Sequence, residues 1–141
     1  MISHNLKGTF LNSIDDKGRM AFPAKLKAKL GDEFIVTVGQ DCLSVYSPEA
    51  WDEFTAKLRT LTGTAAKAAK IIVNRAIDAE PDKQGRITLS KDLREFAGLT
   101  KDITVVGVIN HAEIWDSGRY ERFKNNVPEE EITKLLEDFA F

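Results

Sequence analysis

The segment Asp15-Asp16-Lys17-Gly18-Arg19 returns as Asp82-Lys83-Gln84-Gly85-Arg86, so Asp, Gly and Arg each recur 67 positions later. The echo extends beyond this turn. Thr9-Phe10-Leu11-Asn12 corresponds to Ala76-Ile77-Asp78-Ala79, and Met20-Ala21-Phe22-Pro23-Ala24-Lys25-Leu26 to Ile87-Thr88-Leu89-Ser90-Lys91-Asp92-Leu93. Farther on, Val45-Tyr46 corresponds to Ile114-Trp115, Trp51 to Tyr120, and Phe54 to Phe123. In a chain of 141 residues each half is too short to bury a good core alone. Two such units are therefore expected to fold together about a pseudo-two-fold axis. That symmetry sets two copies of one cationic turn side by side, which suits a repeated target better than a single catalytic centre.

Local patterns give the same order of elements twice. Lys7–Ile14 reads as a strand, followed by the Asp-Asp-Lys-Gly turn and a short strand Met20–Phe22. Pro23 opens a helix over Ala24–Leu30 that Gly31 stops, and Phe34–Val38 and Leu43–Tyr46 read as strands. Ser47-Pro48-Glu49 starts a helix with Trp51, Phe54, Leu58 and Leu61 on one side. After an alanine-rich helical connector over 62–75, the second copy runs through strands near Arg75–Glu80 and Arg86–Leu89. A helix from the N-cap Ser90 to Gly98 follows, then strands Ile103–Ile109 and Glu113–Asp116 and a helix Arg119–Asn125. The expected organisation is a first repeat over 7–52, a connector over 53–74, a second repeat over 75–121 and a helical tail over 122–141. In that tail Ile132, Leu135, Leu136 and Phe139 fall on one helical stripe behind Glu129-Glu130-Glu131, whose acids suit the positive end of a helix dipole. A helix this short is marginal alone and is expected to dock, on its own body or on a neighbouring subunit.

Charge is segregated along the chain although the net value is only −2. Residues 1–30 carry six basic and two acidic side chains, and 57–75 carry five basic and no acidic ones. Residues 31–56 hold six acids and no bases. Such blocks can build a basic face on an acidic molecule, or can simply be solvated surface. No apolar run approaches a membrane span and the start lacks a signal-peptide pattern, so a cytoplasmic protein is expected. Cys42 is the single cysteine and sits in an apolar stretch, which predicts a buried thiol without a disulfide. His4 and His111 have no partner at metal-ligand spacing; His4 is expected in a flexible end and His111 in a loop, both solvated. No phosphate-binding loop or nucleophile elbow is present, and neither enzymatic activity nor a metal or cofactor is expected.

The candidate site is the duplicated turn. Gly18 and Gly85 permit the positive φ of a tight reversal, and Asp15 and Asp82 can accept backbone N–H bonds and pair with the arginine four positions later. An isolated turn of this kind would merely lock a hairpin corner. Two of them place Arg19 beside Lys17 and Arg86 beside Lys83, and a guanidinium fork matches guanine O6/N7 or a phosphate. Gln84 can both donate to and accept from a base edge. Lys25 on the short helix is a candidate phosphate contact. Trp51, Phe54, Tyr120 and Phe123 are expected as core or subunit-interface anchors rather than base-stacking platforms.

These residues carry a resemblance. Gly8-Thr9-Phe10, Asp15-x-Lys17-Gly18-Arg19, Pro23-Ala24-Lys25-Leu26, Asp82-x-x-Gly85-Arg86, Leu99-Thr100-Lys101, Val106-Gly107 and Glu113-Ile114-Trp115-Asp116 resemble the MraZ family over essentially the whole chain. The resemblance implies an α/β (α+β) fold of tandem SpoVT-AbrB repeats, a swapped-hairpin β-barrel, and ring-shaped homo-oligomers. It further implies a nucleoid-associated transcriptional regulator that binds double-stranded DNA at direct repeats upstream of the division and cell wall gene cluster, repressing its own operon. The family's motif arginines fall on Arg19 and Arg86. Two alternatives stand beside it: an AbrB-like antitoxin or global regulator, and a ring-forming structural protein that does not bind DNA.

Overall fold

The pairing of strands shows how the two copies share one body. In the computed structural model, which describes residues 5–139, the first copy comprises β1 (Thr9–Ser13), β2 (Arg19–Ala21), α1 (Ala24–Leu30), β3 (Phe34–Val38), β4 (Leu43–Tyr46) and α2 (Pro48–Leu58). A helix α3 (Gly63–Asn74) leads into the second: β5 (Ile77–Ala79), β6 (Arg86–Thr88), α4 (Lys91–Ala97), β7 (Asp102–Val108), β8 (His111–Asp116) and α5 (Ser117–Asn125). A final helix, α6, covers Glu129–Asp138. Six strands form an antiparallel sheet in the order β1-β7-β8-β4-β3-β5, and β2 and β6 form a separate ribbon. Each copy gives its first strand to the other: β1 pairs with β7, and β5 pairs with β3. Within the described residues β1 and β5 are the outer strands, so this ladder does not close into the expected barrel.

The exchange is what makes one core out of two short repeats. Met20 and Ile87 from the ribbon meet Leu26 and Leu30 of α1, Leu89, and Leu93 of α4 over Val36, Val45, Val105 and Ile114 of the sheet. Burying each such side chain contributes about 1.5–3 kcal/mol, and no single copy supplies enough of them. A smaller cluster of Cys42, Val106 and Trp115 lies apart from this core. Cys42 is fully buried as expected.

Local chemistry explains most boundaries. Ser47 and Ser90 cap α2 and α4 through side-chain bonds from Ala50 N–H and Leu93 N–H, and Gly98 ends α4 in the left-handed conformation. Two expectations are corrected. The helix after Ser47 ends at Leu58, so Leu61 lies in the following turn and is exposed rather than continuing the apolar side. His111 is not a solvated loop residue: it opens β8, is only 20 % exposed, and stacks on Tyr46 with ring centroids 5.6 Å apart. Beside Asn110 in what reads as a turn, His111 gives no hint in sequence of a cross-strand aromatic partner. His4 lies outside the described residues.

Candidate nucleic-acid interface

Both turns are built identically. Asp15 Oδ1 accepts the N–H of Lys17 at 3.0 Å and of Arg19 at 2.9 Å, while Gly18 N–H donates to Asp15 C=O at 3.0 Å. Asp82 Oδ1 accepts the N–H of Gln84 at 2.8 Å and of Arg86 at 2.9 Å, and Gly85 N–H donates to Asp82 C=O at 2.9 Å. The other carboxylate oxygen takes the arginine Nε, at 2.8 Å in the first turn and 3.1 Å in the second. Each carboxyl is held below its ordinary value, first by the arginine's backbone N–H; desolvation opposes this, and the guanidinium and the second turn amide together keep the balance downward. The aspartates are therefore anionic clamps that orient the guanidinium by Nε and leave its terminal nitrogens available to another molecule.

The ribbon sets the two clamps in relation. Arg19 pairs with Thr88, Met20 with Ile87, and Ala21 with Arg86. Directly opposed residues share a face and successive residues alternate. Met20 and Ile87, each 1 % exposed, point into the core, so Arg19, Ala21, Arg86 and Thr88 occupy the outward face. Arg19 and Arg86 are diagonal neighbours there, with Cα atoms roughly 7–8 Å apart on such a ladder. Their side chains are 40 % and 37 % exposed. Backbone bonds from Phe22 N–H to Gly85 C=O and from Leu89 N–H to Gly18 C=O, 2.9 and 2.8 Å, tie each turn to the opposite strand.

Around this face, Lys17, Lys83 and Gln84 are exposed at the turn tips. Lys25 is exposed on α1 and borders a groove with Lys7 and Lys29 instead of joining either turn's hydrogen-bond set. One residue was not foreseen. Arg94 of α4 donates through Nε to Leu89 C=O at 3.2 Å and reaches the Asp16 carbonyl at 3.5 Å, bracing the first turn from below. The matching position in the first copy is Lys27, which pairs with Asp32 at 3.5 Å. The first turn is braced by the second copy; among the described residues this brace has no counterpart at the other.

The family model described as "MraZ protein, putative antitoxin-like" matches twice, over residues 6–75 and 72–139. The chain belongs to the MraZ family. A protein named Transcriptional regulator MraZ from Thermoanaerobacter sp. (strain X514) is 42% identical over 139 residues, 94% of this chain and 97% of that one. The same-named protein of Thermoanaerobacter pseudethanolicus matches equally, and that of Acetivibrio thermocellus is 39% identical over 135 residues, 92% of this chain and 94% of its own. MraZ membership, rather than the lack of a visible catalytic group, sets the enzyme reading aside. Among the described residues no group of three or more His, Cys, Asp or Glu is placed to hold a metal, and no helix is long and apolar enough to cross a membrane.

A second polar cluster in this MraZ chain lies on β8. Glu113 accepts from Trp115 Nε1 at 3.0 Å and lies 3.3 Å from His111 Nε2. Burial pushes the Glu113 carboxyl up, but the bonds from His111 and Trp115 outweigh it and hold the group below its usual value. The cluster anchors the second aromatic group, Trp115, Tyr120 and Phe123, with centroids 5.2–6.0 Å apart. Tyr46, Trp51 and Phe54 form the matching group in the first copy.

Proposed function

We propose that this chain is a DNA-binding transcriptional regulator that reads duplex DNA through the two clamped arginines of the β2–β6 ribbon. The observation that carries this reading is the placement of Arg19 and Arg86 on one outward face, each oriented by its own aspartate and half exposed. Clamping removes rotamer freedom before DNA arrives, so less entropy is lost on contact. The guanidiniums, with Gln84, address base edges; Lys17, Lys83 and Lys25 meet phosphates and set the register. Asp15, Asp82, Gly18 and Gly85 act by holding the turns. The names of the relatives support a role in transcription.

One ribbon face spans few base pairs, so a single chain binds modestly. Several copies in a ring, facing direct repeats, raise affinity by about 100-fold or more for each added engagement that geometry permits. The targets are the repeats ahead of the division and cell wall gene cluster, where binding represses the chain's own operon. The protein then works in the cytoplasm, associated with the nucleoid. Footprinting the purified protein on the DNA upstream of its own gene tests this. Regularly spaced protected repeats, weakening steeply with salt, are expected; binding indifferent to sequence and salt overturns it.

A further inference from the structure

The duplication also pairs two surfaces that differ in what lies beside them. Val36 faces Ile77 of β5 and Val105 faces Phe10 of β1, and Phe10 and Ile77 correspond across the repeat. Thr37 therefore corresponds to Val106, just as Trp51 corresponds to Tyr120 and Phe54 to Phe123. In the first copy α3 lies over this surface. Thr37 Oγ1 donates to Ile72 C=O at 2.6 Å and Ala69 is buried, while Trp51 and Leu58 of α2 and Ala69 and Val73 of α3 border a groove of about 470 Å³ between the two helices. In the second copy the corresponding place is an open groove of about 540 Å³, bordered by Thr9, Val106, Gly107, Trp115, Tyr120 and Phe123.

The helix that follows α5, as α3 follows α2, is α6. It buries none of its residues: Ile132, Leu135, Leu136 and Phe139 are 44 %, 57 %, 56 % and 65 % exposed. The links differ in a way that explains this. Between α2 and α3 the chain turns at Gly63, φ +63, and α3 runs beside β3, where Ile72 C=O accepts from Thr37 Oγ1. Between α5 and α6, Asn126 and Val127 N–H groups bond back onto α5 carbonyls and Pro128 follows at φ −64, so the link is stiff and turns elsewhere. The chain has an apolar helix that buries none of its residues, and a groove beside β7 where the first copy has α3 against β3.

We propose that α6 of a second copy of this chain seats in the groove between β7 and α5. Charge agrees. Glu129, Glu130 and Glu131 open α6, and Arg119 and Arg122 line the adjoining end of the groove, while Lys134 is available to the groove's Asp41 and Glu113. The inference deepens the self-association in the reading above by naming its joint, and it does not depend on DNA binding.

Two variants test it by complementation, without DNA. Leu135→Glu with Leu136→Glu spoils the helix stripe and leaves the groove, whereas Phe123→Glu blocks the groove and leaves the helix; all three side chains are exposed. By light scattering each variant alone is expected at the 15.7 kDa monomer mass, and an equal mixture at twice that. Wild-type mass for either variant, or a mixture that stays monomeric, overturns the proposal. Should a variant lose its native circular dichroism, hydrogen exchange of the wild type decides. Amides 132–139 are expected to slow about tenfold from dilute to concentrated protein. Protection independent of concentration means a seat on the same chain and overturns it equally.

Discussion

Gly18 sits so close to Leu89 that a Cβ added to it would lie 2.6 Å from the Leu89 carbonyl oxygen. The Leu89 N–H meanwhile donates to Gly18 C=O at 2.8 Å, so this contact fastens the first copy's turn to the second copy's strand. Arg94 Nε would be only 2.8 Å from the same added carbon.

Substitution at the two turn glycines should consequently be unequal. Both have positive φ, +82 at Gly18 and +76 at Gly85, and an alanine in either pays about 1–2 kcal/mol for that conformation. At Gly85 the added carbon meets open space. At Gly18 it meets backbone that cannot step aside, adding about 1–3 kcal/mol. Urea denaturation of Gly18→Ala and Gly85→Ala should show the first to be clearly the less stable; equal midpoints would mean that the brace yields freely.

The aspartate clamps have two separable jobs, amide acceptance and guanidinium orientation. Asp15→Asn keeps an oxygen for the Lys17 and Arg19 amides and loses the charge that grips Nε, while Asp15→Ala loses both. We expect Asp15→Asn to retain the fold and to weaken sequence-specific DNA binding several-fold, and Asp15→Ala to disorder the turn as well. NMR of the Arg19 Nε–H, slow to exchange in the parent and fast in Asp15→Asn, would check the orientation independently of DNA.

The same clamps set an acid limit. Both carboxyls lie below their ordinary 3.8 in the folded chain, so the stability they contribute is complete above that value. It is lost as the pH falls through the lowered folded values. Turn order should therefore be flat from neutrality down to about pH 4 and then fail, more gently in the double variant Asp15→Asn/Asp82→Asn. A parent chain whose turn amides opened well above that pH would contradict the assignment.

Much of this was readable from residues because the turn is local: Asp, Gly and Arg within five positions determine their own hydrogen bonds. Ser47, Ser90 and Gly98 announced helix ends for the same reason. Distant partnerships were not readable. Arg94 is an ordinary polar residue of a short helix until α4 is set against a turn 78 positions earlier in the chain. His111 gains its role from Tyr46, which only the β4–β8 pairing brings near. The tail stripe was evident from spacing, yet spacing says nothing of Pro128 steering the helix off its own groove.

Cys42 should behave as a reporter of folding rather than as a reactive thiol. Burial first, then the charges of Glu113 and Asp41, push its pKa well above the ordinary 9.0. The thiolate is the reacting form, so native protein at pH 8 should be inert to an aromatic disulfide reagent and react stoichiometrically once unfolded. Rapid labelling of the native chain would show that the Cys42–Val106–Trp115 cluster opens on its own.

Arg19→Lys distinguishes reading from attraction. Lysine keeps the positive charge, so nonspecific, salt-dependent binding through phosphates should persist with nearly the same salt slope. It lacks the planar fork, cannot offer Nε to Asp15 while presenting two parallel donors outward, and so loses bidentate base contact. A bidentate pair discriminates by about 1–3 kcal/mol, so affinity for a repeat-bearing fragment should drop roughly 5- to 150-fold for each engaged subunit. Affinity for random DNA of equal length should barely change. Arg86→Lys should do the same if the diagonal pair reads DNA together, and Arg19→Ala should lose both components. If instead Arg19→Lys weakened random and repeat fragments alike, the arginine would be serving as a phosphate contact, and sequence would have to be read by Gln84 or by the shape of the duplex.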